Sequence, residues 1–115
     1  GTRLPGTALL VGDLLADNDP QKPVVMAYKT AYEKVAGGPV STFGGYAHDA
    51  VRILVDAVGR SKSTKGVGIR NAIEQTRGLV GTTGTVTMSP TDHLGLDLSA
   101  FRMLEIRNGG WTLVK

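Results

Sequence analysis

The sequence predicts an α/β fold that is incomplete on its own, and three observations lead there. The 115 residues make one domain or part of one and leave no room for a self-contained two-domain enzyme. Three stretches with helical periodicity lie between an opening apolar run and a closing set of β-type segments. The resulting order, one strand, three helices and three strands, does not close into a symmetric α/β unit, because the opening strand has no crossover of its own. Partner strands are therefore expected upstream.

Each element has a local reason. Ala8 to Gly12 (ALLVG) is a short apolar run after Pro5-Gly6, too short for an α-helix, and reads as a buried strand. Asp17, Asn18 and Asp19 offer helix caps, and Pro20 suits a first turn whose N–H is unpaired anyway, so a helix is expected from near Pro20. Val25, Tyr28, Tyr32 and Val35 recur at steps of three and four and form its apolar stripe, and Gly37-Gly38-Pro39 stops it. Ser41 or Thr42 caps a second helix. Its Ala47, Ala50, Val51, Leu54, Ala57 and Val58 make a broad face of small and apolar residues, suited to close packing. Residues 59–68, polar and glycine-containing, are expected as a surface loop. Ile69, Ala72, Ile73 and Thr76 are the stripe of a third helix, with Arg70, Glu74 and Arg77 outward and Gly78 as its cap. From Gly81 the period changes, and β-branched residues predict a strand from Thr85 to Ser89, with a turn at Pro90 to Asp92. A hairpin closes the chain: Phe101 to Arg107, Asn108-Gly109, then Trp111 to Val114.

Composition excludes several classes. Hydrophobic residues are 41% and charged residues 20%, so the chain can bury a core and is not intrinsically disordered. A net charge of +3, spread without a basic block, argues against a nucleic-acid partner. With no cysteine there is no disulfide scaffold, thiolate metal site or thiol nucleophile. No run approaches the roughly 20 apolar residues of a membrane span, and Gly1 to Gly6 has no signal-peptide character, so any export signal is expected upstream. Sixteen glycines predict many tight turns.

Candidate sites are few. Asp92, His93 and Asp97 share one loop and would suit metal ligation or acid–base work, but their spacing matches no metal signature, and turn capping by Asp92 accounts for them as well. His48 and Asp49 are adjacent on the second helix, about 100° apart around its axis, and cannot form a two-ligand face; a helix-surface or interlobe polar role is expected. The GTTGT and FGG glycines lack the order of a phosphate loop. Ser41, Ser61, Ser63, Ser89 and Ser99 lie in no nucleophile motif. No catalytic residue, metal or cofactor is expected, and the chain does not read as an enzyme. Phe43 stands apart, since it precedes Gly44-Gly45 at a helix start rich in backbone N–H groups. It is either the wall of a small-molecule site or a staple that fixes the helix entry.

The runs STFGGYAHDAVRILVDAV, IRNAIEQT, GLVGTTGTVTMSPTDHLGLDLSAFRMLEIRNGGWTLV and LLVGDLLADNDPQKPVVMAYKTAYEKV, in this family's order and spacing, resemble the C-terminal third of a type I periplasmic solute-binding protein. Within that family the chain is most similar to the substrate-binding component of branched-chain amino-acid ABC transporters. The resemblance implies a fold of two three-layer α/β/α lobes, of which the chain holds part. Residues 1–13 and 98–115 would belong to the C-terminal lobe and 19–90 to the N-terminal lobe, with crossings near 14–19 and 91–98. It also implies a periplasmic receptor, or an extracellular lipid-anchored one in a Gram-positive source. The ligand would be a branched-chain amino acid, a related amide or an aromatic carboxylate, delivered to a membrane ABC permease after hinge closure. Phe43 matches the aromatic that lines the cleft in that family's amino-acid receptors, and Tyr46 is a second ligand-binding candidate. His48 stands where the family has tyrosine. A sensor with the same clamp and no transport role is the alternative. The isolated chain, short of core partners, is expected to self-associate.

Overall fold

The computed structural model describes residues 1–114; Lys115, the last residue of the segment 98–115 assigned to the C-terminal lobe, lies outside the described residues. The two ends of the chain meet in one antiparallel sheet of order β1 (Arg3–Thr7), β4 (Phe101–Arg107), β5 (Gly110–Leu113), with Leu4 opposite Leu104. The closing hairpin is as expected. Asn108 (φ 51°) and Gly109 (φ 76°) both take the left-handed conformation that a type I′ turn requires, and Arg107 pairs with Gly110.

The opening strand lies earlier in the chain than the sequence predicts. Ala8 to Gly12 is no strand but part of a 3₁₀ segment, Ala8–Leu14, kinked at Val11, and the strand before it runs through Pro5-Gly6. A proline is tolerated because β1 is an edge strand, where a missing ladder donor costs little. The apolar run is buried all the same. Ala8, Leu9 and Val11 form a core with Leu15, with Val25 of the first helix and with Leu104 of β4. A run of five apolar residues carries too little periodicity to separate strand from helical turn.

Helix α1 (Lys22–Ala36) ends at Gly37 in the left-handed conformation (φ 67°), as expected. Its first-turn proline is Pro23, and Pro20 sits in the preceding turn, where the Asp19 carboxylate accepts from Gln21 N at 2.9 Å. Val25 is fully buried and Tyr28 and Tyr32 half-buried, but Val35 at the end of the stripe is exposed, because the 3₁₀ segment covers only the first turns.

Helix α2 (Thr42–Ser61) is capped by Ser41, whose hydroxyl accepts from Gly44 N at 3.3 Å. Its expected face is buried only in part: Ala57 is buried and Val58 half-buried, but Ala47, Ala50, Val51 and Leu54 are exposed, and Gly45 and Asp49 are buried instead. Most of that apolar face has no cover among the described residues. The expected loop at 59–68 shrinks to 62–65, since α2 continues through Gly59 to Ser61 and α3 (Gly66–Glu74) starts at once. Helix α3 ends at Gln75 rather than Gly78, and Glu74 is buried rather than outward.

The strand expected over Thr85 to Ser89 contracts to β3 (Thr85–Val86), paired with β2 (Leu79–Val80). Beyond it the backbone is satisfied elsewhere: Thr87 N bonds Gly95 O and Met88 N bonds Thr76 O, both at 2.9 Å. The turn at 89–92 forms as expected. By packing, the elements fall into two bodies. The sheet, the 3₁₀ segment and α1 share the core around Leu9, while α2 packs on α3 beside the β2–β3 pair.

Candidate ligand-contact surface

The start of α2 is held down by glycines. A Cβ at Gly44 would stand 2.6 Å from the Tyr28 hydroxyl, and one at Gly45 would stand 2.6 Å from Leu9 Cδ2 and 2.9 Å from Thr82 Oγ1. The helix therefore rests directly on α1, on the 3₁₀ segment and on the β2–β3 turn. Phe43, one residue earlier, takes no part in this packing and is 83% exposed; Tyr46, one turn on, is 47% exposed. A staple would pack against its helix, whereas a wall would present its ring to a ligand.

Behind this surface lies a buried polar network that the sequence reading missed. Asp49, expected on a helix surface or between lobes, is 3% exposed. Its Oδ1 accepts from Thr82 N at 2.9 Å, and its Oδ2 accepts from Thr83 N at 2.9 Å and from the Thr83 hydroxyl at 2.7 Å. The Thr82 hydroxyl donates to Gly45 O at 3.2 Å. The GTTGT run thus does cradle an anion, but the anion is the protein's own carboxylate. Gly81 must lack a side chain, since a Cβ there would fall 2.5 Å from Asp49 Oδ2. The available signal was the pairing of an acidic residue in a helix with a turn rich in backbone donors, residues far apart in sequence.

The network continues to the other body. Gln21 is 3% exposed; its Nε2 donates to Gly81 O at 3.0 Å, and its Oε1 accepts from Arg102 Nη2 at 3.2 Å. Arg102 Nη2 also meets Asp19 Oδ2 at 3.0 Å, and Nη1 donates to Ser99 O at 2.6 Å.

His48 faces α1. Its ring lies 4.7 Å from that of Tyr28, tilted by 41°, and Tyr28 lies 5.7 Å from Tyr32. These three rings, with Arg52 and the small residues of α1, line an open groove of about 700 Å³. Burial pushes the Tyr28 hydroxyl above its ordinary value, with Tyr32 and Asp49 adding to the shift, so it keeps its proton at neutral pH.

The structure does not bring Asp92, His93 and Asp97 together as a ligand set. Asp92 Oδ1 accepts from Leu94 N and Gly95 N at 3.0 Å, as a turn cap does. His93 Nε2 lies 3.2 Å from Glu74 Oε1. Asp97 accepts from Ser99 N at 2.8 Å, and its bonds to the Ser99 hydroxyl and amide hold it below the usual carboxylate range. Among the described residues no three His, Asp or Glu side chains stand close enough to hold a metal ion, and no helix is long and apolar enough to cross a membrane.

No protein-family model and no curated protein matches the chain by sequence. Solved structures do match. An extracellular ligand-binding receptor from Rhodopseudomonas palustris HaA2 superimposes with a TM-score of 0.88 at 24% identity, over 100% of this chain and 34% of the receptor. A protein of R. palustris strain CGA009 gives 0.88 at 23% identity, again over 100% and 34%. A Rhodospirillum rubrum protein assigned to branched-chain amino acid ABC transport gives 0.72 at 28% identity, over 97% of this chain and 30% of that protein. The chain thus spans about a third of the length of the receptors it matches. Its fold is that of part of a two-lobed periplasmic binding protein, as the sequence resemblance implied.

Proposed function

We propose, from the premise that the whole chain has the fold of part of a ligand-binding receptor, that it belongs to the extracytoplasmic solute receptor of an ABC importer. The observation that supports this is the match at TM-score 0.88 over 100% of the chain to an extracellular ligand-binding receptor. The ligand is a branched-chain amino acid or a related small carboxylate or amide, bound in a cleft between two lobes, and hinge closure adds the second lobe's contacts. The exposed ring of Phe43, with Tyr46 beside it, supplies an apolar wall of that cleft, and polar groups outside this chain orient the ligand.

In this reading residues 1–13 and 98–115 lie in one lobe and most of 19–90 in the other. Packing favours one adjustment: Val25 of α1 shares its core with Leu9 and Leu104. We therefore set α1 with the sheet and place the first crossing at residues 37–40 rather than 14–19; the second stays at 91–98. The transporter's membrane permease then recognises the closed form. Ligand closure requires no chemistry on the solute.

A thermal-shift screen of the receptor carrying this chain, with the 115-residue chain as control, tests the proposal. Branched-chain amino acids, other amino acids and aromatic carboxylates are each offered. A ligand that binds only the folded state raises the melting temperature with concentration. A rise for the receptor and none for the chain alone is expected. No rise with any of these solutes would shift weight to the sensor alternative, and a rise for the chain alone would misplace the site.

A further inference from the structure

We propose that Gln21, braced by Arg102, is a positioning residue: it latches the sheet body to the α2 body in the relative setting seen here and so fixes where Phe43 stands. The inference rests on the two-lobe reading above and names the group that governs the lobe setting.

The geometry makes the case. The two bodies meet at small apolar contacts: Leu9 with Gly45 and Tyr28 with Gly44 and His48 around the start of α2, and Ala100 with Gly84 at the β2–β3 turn. Such contacts through glycine and flat rings permit sliding. Gln21 supplies direction. Its amide is 97% removed from solvent, one end donating to Gly81 O in the α2 body and the other accepting from Arg102 in the sheet body. Arg102 cannot swing away, since its guanidinium is also committed to Asp19 Oδ2 and to Ser99 O. On the far side Gly81 is fixed against the Asp49 carboxylate. One amide therefore joins two rigid anchors, and among the described residues no other side-chain bond in this region reaches from Arg102 through to the β2–β3 turn. A buried amide with both ends satisfied specifies one arrangement, because any sliding leaves a donor or an acceptor unpaired.

The chain's lack of cysteine makes a distance measurement direct. Spin labels at Lys34→Cys, exposed near the end of α1, and at Gly59→Cys, where an added side chain meets nothing within 4 Å, report the separation of the two bodies in the 115-residue chain without any ligand. The unsubstituted Gln21 chain should give one narrow distance distribution. Gln21→Leu, similar in size but unable to make either bond, should broaden it or add a second distance, and Gln21→Glu should do the same by setting a carboxylate oxygen against Gly81 O. Should Gln21→Leu fail to melt cooperatively, Arg102→Lys provides the reading, since a single ammonium cannot hold Ser99 O from one nitrogen while another serves both Asp19 Oδ2 and Gln21 Oε1, as Arg102 does. An unchanged distribution in these variants overturns the latch. In the receptor, titration with L-leucine should show at least roughly tenfold weaker binding for Gln21→Leu, which loses two buried hydrogen bonds, each about threefold or more. Absence of leucine binding to the unsubstituted receptor would count against the amino-acid reading and leave the ligand-free distance result to decide the latch.

Discussion

Truncating Asp49 is the sharpest test of how the α2 body is held together. Asp49→Ala leaves three donors, Thr82 N, Thr83 N and the Thr83 hydroxyl, in a region where Thr82 and Thr83 are at most 3% exposed. Each buried donor without an acceptor costs about 1–3 kcal/mol. Some relief comes from water entering the space of the lost carboxylate, so a total of roughly 3–5 kcal/mol is expected, on the scale of breaking a buried charged network. Whole domains are stable by only about 5–15 kcal/mol, so the variant should sit near its unfolding transition at room temperature. Asp49→Asn keeps the shape and one accepting oxygen but turns an NH2 towards a donor, and should cost about 1–3 kcal/mol. Urea denaturation of the three proteins gives the ladder. Hydrogen exchange at the Thr82 and Thr83 amides locates the loss. Equal stabilities for Asn and Ala variants, or an alanine cost below about 1 kcal/mol, would refute the cradle as a source of stability.

Other expectations follow from single contacts. Phe43→Ala should change the chain's stability by no more than about 0.5 kcal/mol, as at exposed sites generally, yet weaken solute binding to the receptor by about 1–3 kcal/mol; melting and calorimetry separate the two. Gly45→Ala should destabilise by about 1–3 kcal/mol through overpacking against Leu9 and Thr82, whereas Gly59→Ala, in the same helix with open space around it, should stabilise by up to about 1 kcal/mol, both read by thermal unfolding. Glu105 is held below the ordinary glutamate value of 4.5, chiefly by its bond to Arg107. Its folded-state pKa being depressed, its contribution is present above the unfolded value near 4.5 and disappears as pH falls through the folded value. Arg107→Ala should therefore move the onset of acid unfolding to higher pH, as followed by circular dichroism.

Local signals carried much of the fold. The caps at Ser41 and Gly37, the Asn108-Gly109 turn and the stripe through Val25 and Tyr28 each act within a few residues, and each appears in the structure. What failed was decided at a distance. Pro5-Gly6 looks like a turn until β4 arrives beside it, and Ala8 to Gly12 looks like a strand because a five-residue apolar run reports burial and not conformation. The apolar face of α2 was read correctly as apolar, but among the described residues most of it lacks cover, and the buried side carries Asp49, whose acceptor role depends on a turn some thirty residues away. Gln21 was invisible for the same reason: nothing around it in sequence announces Arg102 or Gly81. Phe43 was singled out because an aromatic just ahead of two glycines at a helix start is a local feature, and because it matches the cleft aromatic of the family that the sequence resembles.

The pairing of β1 with β4 also bears on the order of events when this chain folds. Arg3 lies opposite Glu105, almost the full chain away, so no rung of that ladder can form until the intervening helices have brought the ends together, and the loop-closure entropy falls on this step. The β4–β5 hairpin and α1 to α3 have only local closures to make and should be populated first. Substitutions in the ladder, at Leu104 for instance, should then mainly accelerate unfolding, while substitutions in the helices slow refolding. Until that last pairing occurs β4 keeps one unpaired edge, and the length of this interval sets how long the chain is open to capture by another copy of itself.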